Sequence, residues 1–283
     1  MVSFAASHTA SALASRLIAG LCAVASAAMI TPQASQAQSM DDIVQIEILD
    51  GGSTRNGSHL SALKITLAPG WKTYWRAPGD AGIPPRFEWA GSQNLVDIAM
   101  TWPTPDVFLT SGYRTIGYHN QLILPIEITP QQRGSAIQLK GRMELGICKD
   151  VCIPSDLQFE AQLNPDSKRH PAIVAALADQ PLSAAEAGVS AAQCALRPSR
   201  YGMSLTVEIT MPSAGGEETV IIEPGVAHLV TTETTTVRKG RRLVAETEIV
   251  SADGGVFAVD RSQMRFTVLG QNHAVDIRGC SRL

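Results

Sequence analysis

Cys148 and Cys152 enclose the tripeptide Lys149-Asp150-Val151. Two thiols so close in sequence have three uses. They can close a local disulfide that staples a turn, exchange disulfides with another protein, or, as thiolates, hold a soft metal such as Cu(I). A bridge usually holds its Cα atoms about 4.4–6.8 Å apart, whereas a continuous extended strand would hold these two roughly 13 Å apart. The segment must therefore be a turn or a short helical loop, which Pro154 helps to end. A short loop closes little chain entropy, so it is a weak staple. It suits a redox switch better, because one thiolate can attack a partner's disulfide while its neighbour resolves the mixed species. Lys149 favours a nearby thiolate and Asp150 opposes it, so the spacing does not say which cysteine is the nucleophile. None of His59, His119 or His170 can be assigned as a further copper ligand. Thiol exchange itself needs no metal or organic cofactor.

What five cysteines mean depends on compartment. Residues 1–37 hold no acidic residue and one strong base, Arg16, followed by an apolar run from Leu17 to Ile30 and then Pro32. That is the layout of a cleavable secretory signal cut after Ala37, with an uncleaved anchor as the alternative. Removing the first 37 of 283 residues leaves 246, takes away Cys22 and Arg16, and moves the formal charge from -3 to -4. Four cysteines then remain in an oxidising compartment. No later stretch approaches 18 apolar residues, so no membrane span is expected in the mature chain. At 45% hydrophobic and 17% charged the chain is expected to fold, and the lack of a basic block argues against a nucleic-acid binder.

Period-two alternation predicts strands at Ile43–Ile48, Leu63–Leu67, Leu122–Ile128, Ile137–Leu145 and Leu157–Ala161. The pattern breaks over 164–193, where Pro171 opens a short helix and an Ala-rich stretch follows. It resumes with Leu205–Ile209, Thr219–Ile222, Leu243–Ile249, Arg265–Val268 and Val275–Ile277. The expected fold is all-β, with a sandwich over 38–165, a partly helical connector over 166–193 and a second sandwich over 194–283. Cys194 and Cys280 flank the second set of strands, and a structural disulfide between them would enclose that whole half, worth about 4 kcal/mol. All four tryptophans, Trp71, Trp75, Trp89 and Trp102, lie in the first half with Tyr74, Phe87, Phe108, Tyr113 and Tyr118. They read as core packing, or as an aromatic surface beside the thiols. Arg76 and Asp80 are docking charges, structural charges or parts of a solvated turn.

The cysteine spacing resembles the copper motif of Sco-type chaperones, although those have a thioredoxin fold and here strands flank the motif. A longer ordered set resembles the N-terminal periplasmic domain of the DsbD thiol:disulfide interchange family, in particular its ScsB branch. It comprises Gly70-Trp71-Lys72-Thr73-Tyr74-Trp75-Arg76-Ala77-Pro78-Gly79-Asp80-Ala81-Gly82-Ile83-Pro84-Pro85, Trp102-Pro103, Gly117-Tyr118, Leu124-Pro125 and Cys148 to Pro154. The resemblance implies an immunoglobulin-like sandwich that acts as a protein-disulfide reductase. Its cysteine pair would relay electrons from a thioredoxin-like donor to exported substrates such as disulfide isomerases, cytochrome c maturation thioredoxins or copper-stress proteins. It makes Cys152 the cysteine that meets partners and Cys148 the one that resolves. Where the DsbD capping loop carries a phenylalanine this chain has Ser111 or Gly112, so the shield falls to Phe108 or Tyr113, with Trp71, Trp75 and Tyr118 packed behind or over the pair. The family's full-length members add a membrane domain and a C-terminal thioredoxin domain. The resemblance thus implies a separate membrane electron donor of DsbD or ScsB type. Two other classes remain: a Cu(I)-binding copper-tolerance protein, and a non-catalytic adaptor in which both disulfides are structural.

Overall fold

A computed structural model describes residues 39–110 and 112–283, so the signal expected at 1–37 lies outside the described residues. Ser39 caps a one-turn helix, α1 (Met40–Ile43), with its hydroxyl accepting from the Asp42 amide and the Asp42 carboxylate accepting from the Ser39 amide. The alternating run that follows forms β1 (Val44–Ser53), antiparallel to β2 (His59–Leu67). Next come β3 (Lys72–Gly79), β4 (Arg86–Glu88), β5 (Asp97–Met100), β6 (Asp106–Thr110) and β7 (Tyr113–His119). The first half closes with β8 (Gln121–Thr129), β9 (Ile137–Cys148) and β10 (Cys152–Leu163). One sheet is ordered β1-β2-β8-β5 and the other β10-β9-β3-β7-β6, with β4 also on β9. Leu63, Ile65, Ile126 and Ile128 of the first sheet meet Ile116, Leu139, Met143 and Ile147 of the second in one core, all of them fully buried.

The stretch from Lys72 to His119 holds five strands that period two does not reveal. They are short, interrupted by Pro84, Pro85, Pro103 and Pro105, and β3 is irregular, so no apolar alternation runs long enough to register. The proline-led helix is present as α2 (Pro171–Ala178), with the His170 ring nitrogen Nδ1 accepting from the Ala172 amide. Its Ile173 packs on Leu49, Leu60 and Ala62, which covers β2 on its second face and explains why that strand is buried almost throughout. Within the stretch expected as connector, β11 (Leu182–Ser183) pairs parallel with a later strand, and β12 (Ala191–Pro198) begins.

The second half continues with β13 (Met203–Thr210), β14 (Thr219–Glu223), β15 (Leu229–Thr231), β16 (Thr235–Lys239) and β17 (Arg242–Ser251). It ends with β18 (Arg265–Leu269), β19 (Ala274–Arg278) and β20 (Ser281–Arg282). Its sheets are ordered β11-β19-β18-β14 and β15-β17-β13-β12-β20, with β16 on β17. Val207, Ile209, Ala245 and Ile249 meet Val220, Phe266, Val268 and Val275 across them, all fully buried. The protein is thus all-β, built of immunoglobulin-like sandwiches. Leu269 and Ala274 of the second sandwich pack into the core of the first, so apolar contact joins the two. Cys194, buried in the second core, is bonded to half-buried Cys280 with Cα atoms 5.8 Å apart.

The end of β10 is fastened by Asp50. One carboxylate oxygen accepts from the Asn164 amide at 2.8 Å and the Ser167 hydroxyl at 2.7 Å; the other meets the Gly52 amide at 3.1 Å and the His59 ring at 2.7 Å. Gly52 has φ of +72°, and a Cβ there would sit 2.0 Å from the Ser167 carbonyl oxygen, so only glycine lets the strap close.

Burial pushes the Asp50 carboxyl up, but the hydrogen bonds it receives more than reverse this and hold it below its ordinary value. A carboxyl depressed by folding stabilises above its unfolded value, near 4, and loses that contribution as pH falls through the folded value. Asp50→Asn is therefore expected to lower Tm at neutral pH and to flatten its decline between about pH 5 and pH 2. Equal acid sensitivity of the two proteins in thermal melts would contradict this. Replacing Cys194 and Cys280 together by alanine, which opens a loop of sequence separation 86, is expected to cost about 4 kcal/mol in denaturant unfolding. An unchanged midpoint would show that the bridge does not stabilise the fold.

Candidate functional site

The hairpin of β9 and β10 keeps one register from Ile137 opposite Leu163 to Cys148 opposite Cys152. Residues directly opposite in an antiparallel pair place their side chains on the same face, close together. Here the two Cα atoms lie 4.1 Å apart and the sulfurs are bonded. The intervening Lys149, Asp150 and Val151 form the exposed turn. Met143, Leu145 and Ile147 face the core, so Cys148 belongs to the outward face with Gly146, Glu144 and Arg142. The two cysteines differ in access. Cys148 is 1% exposed, whereas Cys152, at the start of the edge strand, is exposed.

Cys148 is hidden on an outward face because Tyr74 lies against it. The Tyr74 hydroxyl is 2.9 Å from Cys148 Sγ and 3.2 Å from Cys152 Sγ, and the ring is buried. Two glycines make room for that ring. A Cβ on Gly146 or on Gly82 would come within 2.9 Å of a Tyr74 ring carbon, one on each side. The Thr73 hydroxyl donates to the Gly146 carbonyl at 3.0 Å and locks β3 against β9 beside them. Burial pushes the Tyr74 phenol up from its ordinary value, so it remains a neutral O–H donor throughout the neutral range.

Lys72 stands opposite both Cys148 on β9 and His119 on β7, which makes a row across the sheet. Its ammonium lies 4.8 Å over the Phe108 ring and 3.2 Å from the Thr115 hydroxyl. His119 pairs with Asp106 at 2.8 Å. Lys149 lays its stem along Gly70, where a Cβ would be 3.1 Å from Lys149 Cε.

The aromatic residues expected to shield the pair lie in different places. Trp71, Trp75 and Tyr118 are buried in the inter-sheet core, where Trp102 stacks on Tyr118 and Phe87, Trp89 and Phe159 continue the chain of rings. Phe108 is half-buried under Lys72, three strands across the sheet from Cys148. Tyr113 is 59% exposed. It sits six residues along β7 from His119, roughly 20 Å from the level of the cysteines. Ser111 lies outside the described residues. The side chain that touches both sulfurs is Tyr74, which the sequence offers only as one of nine aromatics in that stretch. Nothing local marks it out, because its contact comes from pairing β3 with β9, more than 70 residues on.

The histidines are engaged elsewhere. His59 meets Asp50, His170 caps α2 and His119 meets Asp106. Among the described residues, no three of His, Cys, Asp and Glu cluster as a metal site. Arg76 and Asp80 are structural in their contacts. Arg76 binds Glu223 of β14 through two hydrogen bonds of 3.0 Å, and Asp80 accepts from the Arg114 amide at 3.1 Å.

The site is thus a disulfide across a hairpin end of a sandwich, with one cysteine exposed and the other buried beneath a phenol, and thiol–disulfide exchange is the chemistry open to such a pair. Residues 44–164, the first sandwich, match the family of thiol:disulfide interchange protein DsbD, N-terminal. The crystal structure of the N-terminal periplasmic domain of ScsB from Proteus mirabilis is similar over 87% of this chain and 97% of that one, with a TM-score of 0.67 and 24% identity. The likeness shows that both sandwiches share its fold. No curated protein matches the sequence.

If the phenol donates to the thiolate of the reduced pair, Tyr74→Phe should slow alkylation by iodoacetamide at neutral pH about fivefold to tenfold, since a hydrogen bond to a charged group is worth about 1.5–3 kcal/mol and one to a neutral thiol about 0.5–1.5 kcal/mol. An unchanged rate would show that the hydroxyl does not serve the thiolate.

Proposed function

We propose that this protein is a periplasmic electron relay that exchanges its Cys148–Cys152 disulfide with thioredoxin-like proteins. The observation that carries this reading is the asymmetry of the pair, exposed at Cys152 and buried at Cys148. It agrees with the roles that the family resemblance assigns, and the family match supports the chemistry.

In the loading half-reaction a thiolate of the donor attacks Cys152 Sγ. The Cys148–Cys152 bond breaks and its electron pair leaves on Cys148 Sγ, beside the Tyr74 hydroxyl. The donor's second thiol loses its proton, attacks its own sulfur in the mixed disulfide, and Cys152 leaves as a thiolate. The donor ends as a disulfide and this pair as a dithiol, two electrons and two protons having moved. Unloading runs the other way. Cys152 attacks an exported substrate's disulfide, and Cys148 then attacks Cys152 and releases the substrate reduced.

The donor is a separate membrane protein of DsbD or ScsB type acting through a thioredoxin-like domain. The acceptors are exported thioredoxin-like proteins, among them disulfide isomerases, cytochrome c maturation proteins or proteins of copper tolerance. Periplasmic placement is supported by the signal-like residues 1–37 and by the ScsB relative's periplasmic domain. No helix among the described residues is long and apolar enough to cross a membrane. The Cys194–Cys280 bridge is structural in this reading, with one sulfur deep in the second core.

Cys148→Ser is expected to trap a thioredoxin-like partner on Cys152 as a mixed disulfide that survives non-reducing gels and falls apart with dithiothreitol. Cys152→Ser, which leaves only the buried thiol, is expected to trap none. The reading fails if Cys148→Ser traps nothing and the wild-type disulfide also resists reduction by thioredoxin, as a bridge with a potential below about -300 mV would.

A further inference from the structure

Tyr74 owes its position to a segment with little sheet of its own. β3 pairs with β9 only through Lys72 and Thr73, and with β7 through Lys72, Thr73 and Tyr74. Pairing with β7 resumes at Gly79, opposite Thr115, so four residues from Trp75 to Pro78 face the single residue Ile116 and the strand bulges. Such a bulge lacks a regular ladder and must be held by side chains. Trp75 is fully buried in the first core. The Arg76 guanidinium lies 3.8 Å from the Trp75 ring centroid and reaches into the second sandwich. There its Nε and Nη2 donate to the two oxygens of Glu223 at 3.0 Å each, and Nη2 also reaches Thr267 Oγ1 at 3.4 Å. Both partners are largely buried, Arg76 at 15% and Glu223 at 24% exposure, so the fork is little screened.

The chain that returns from the bulge carries Gly82 against the Tyr74 ring, and it too is tied to the second sandwich. The Asp80 amide donates to the Arg114 carbonyl, the Arg114 amide donates back to the Asp80 carboxylate, and Arg114 Nη1 donates to the Thr234 carbonyl at 3.0 Å. Beside these ties lies a cleft of about 490 Å³ lined by both sandwiches, and the polar contacts here add to the apolar contact of Ile221, Leu269 and Ala274 with the first core. A single residue, Trp75, separates the phenol that touches the disulfide from the guanidinium that touches Glu223.

We propose that the second sandwich is a positioning element for the thiol pair: Glu223, acting through Arg76, fixes the β3 bulge and so keeps the Tyr74 hydroxyl on the sulfurs of Cys148 and Cys152. The proposal deepens the relay reading and takes its biological meaning from it, but the coupling belongs to this chain alone. Loosening the bulge withdraws a donor that serves a thiolate better than a disulfide, so the reduced form loses stability and the pair becomes harder to reduce.

The test is a double-mutant cycle on the full chain, read by equilibration with glutathione and thiol trapping. Glu223→Gln is expected to lower the equilibrium constant for reduction about threefold to tenfold, tenfold being about 30 mV. Tyr74→Phe should shift it in the same direction, and Tyr74→Phe with Glu223→Gln no further than Tyr74→Phe alone. Arg76→Lys, which keeps the charge and loses the fork, provides a second entry to the same tie and should give a smaller shift of the same sign. Glu218→Gln is the control. It removes the partner of Arg238 inside the second sandwich, away from the bulge, and should lower Tm while leaving the potential unchanged. An unchanged potential in Glu223→Gln, a fully additive shift in the Tyr74→Phe background, or an equal shift in Glu218→Gln would each overturn the proposal. Glutathione reads the pair whether or not a protein partner does. Failure of Cys148→Ser to trap a partner would therefore sink the relay and leave this coupling measurable.

Discussion

The site depends on one pairing, Cys148 opposite Cys152 at the closed end of a hairpin whose register never slips. That register is set less by the cysteines than by Leu139, Met143, Leu145 and Ile147, which face the core from alternate positions. A slip of one residue would turn these into solvent and the outward-facing Glu144 and Arg142 into the core, at a cost far above anything a local disulfide contributes. The apolar core of the sandwich is therefore what brings the sulfurs face to face. At the far end of β10 the Asp50 strap fixes Asn164 to β1, so both ends of the strand that carries Cys152 are held.

β3 shows what it takes to place a polar group on such a pair. A regular strand beside β9 would continue its ladder past Thr73, and its outward side chains would stand in solvent. Instead β3 leaves the ladder, β4 takes up pairing with β9 at Arg86 to Glu88, and the segment between them folds over the outward face. Gly82 and Gly146 give the Tyr74 ring its slot. Backbone pairing given up over Trp75 to Pro78 is replaced by one buried ring and one forked ion pair, so the covering group is only as well placed as those side chains.

The parts of this arrangement that were legible in the sequence are those with a local period. The alternation of Ile137 to Leu145 and of Leu205 to Ile209 reads directly as strand, Pro171 reads as a helix start, and Cys148 to Cys152 reads as a turn. The strands between Lys72 and His119 do not, because each is cut short by proline or by a bulge before a pattern builds up. Trp71, Trp75 and Tyr118 are legible as aromatics but not as core against shield, since that depends on which face of β3 or β7 they take. Tyr74 and Arg76 are harder still. Their partners lie 74 and 147 residues away, and no period or spacing in one strand encodes a contact made by another.

The kind of group placed on the sulfurs matters as much as its position. Lys72 stands directly opposite Cys148, yet its ammonium is carried over Phe108 and Thr115, while the group at hydrogen-bond distance from the sulfurs is a neutral phenol. A full positive charge held against Cys148 would depress its thiol strongly and stabilise the reduced pair, which makes a disulfide that takes electrons readily and gives them up poorly. A neutral donor stabilises the thiolate too, but by less. The proposed relay, loaded by one dithiol and unloaded by another disulfide, needs a potential between theirs. A phenol whose distance to the sulfur is set through β3 from a neighbouring sandwich is a means of adjusting that potential without altering the cysteines or the core behind them.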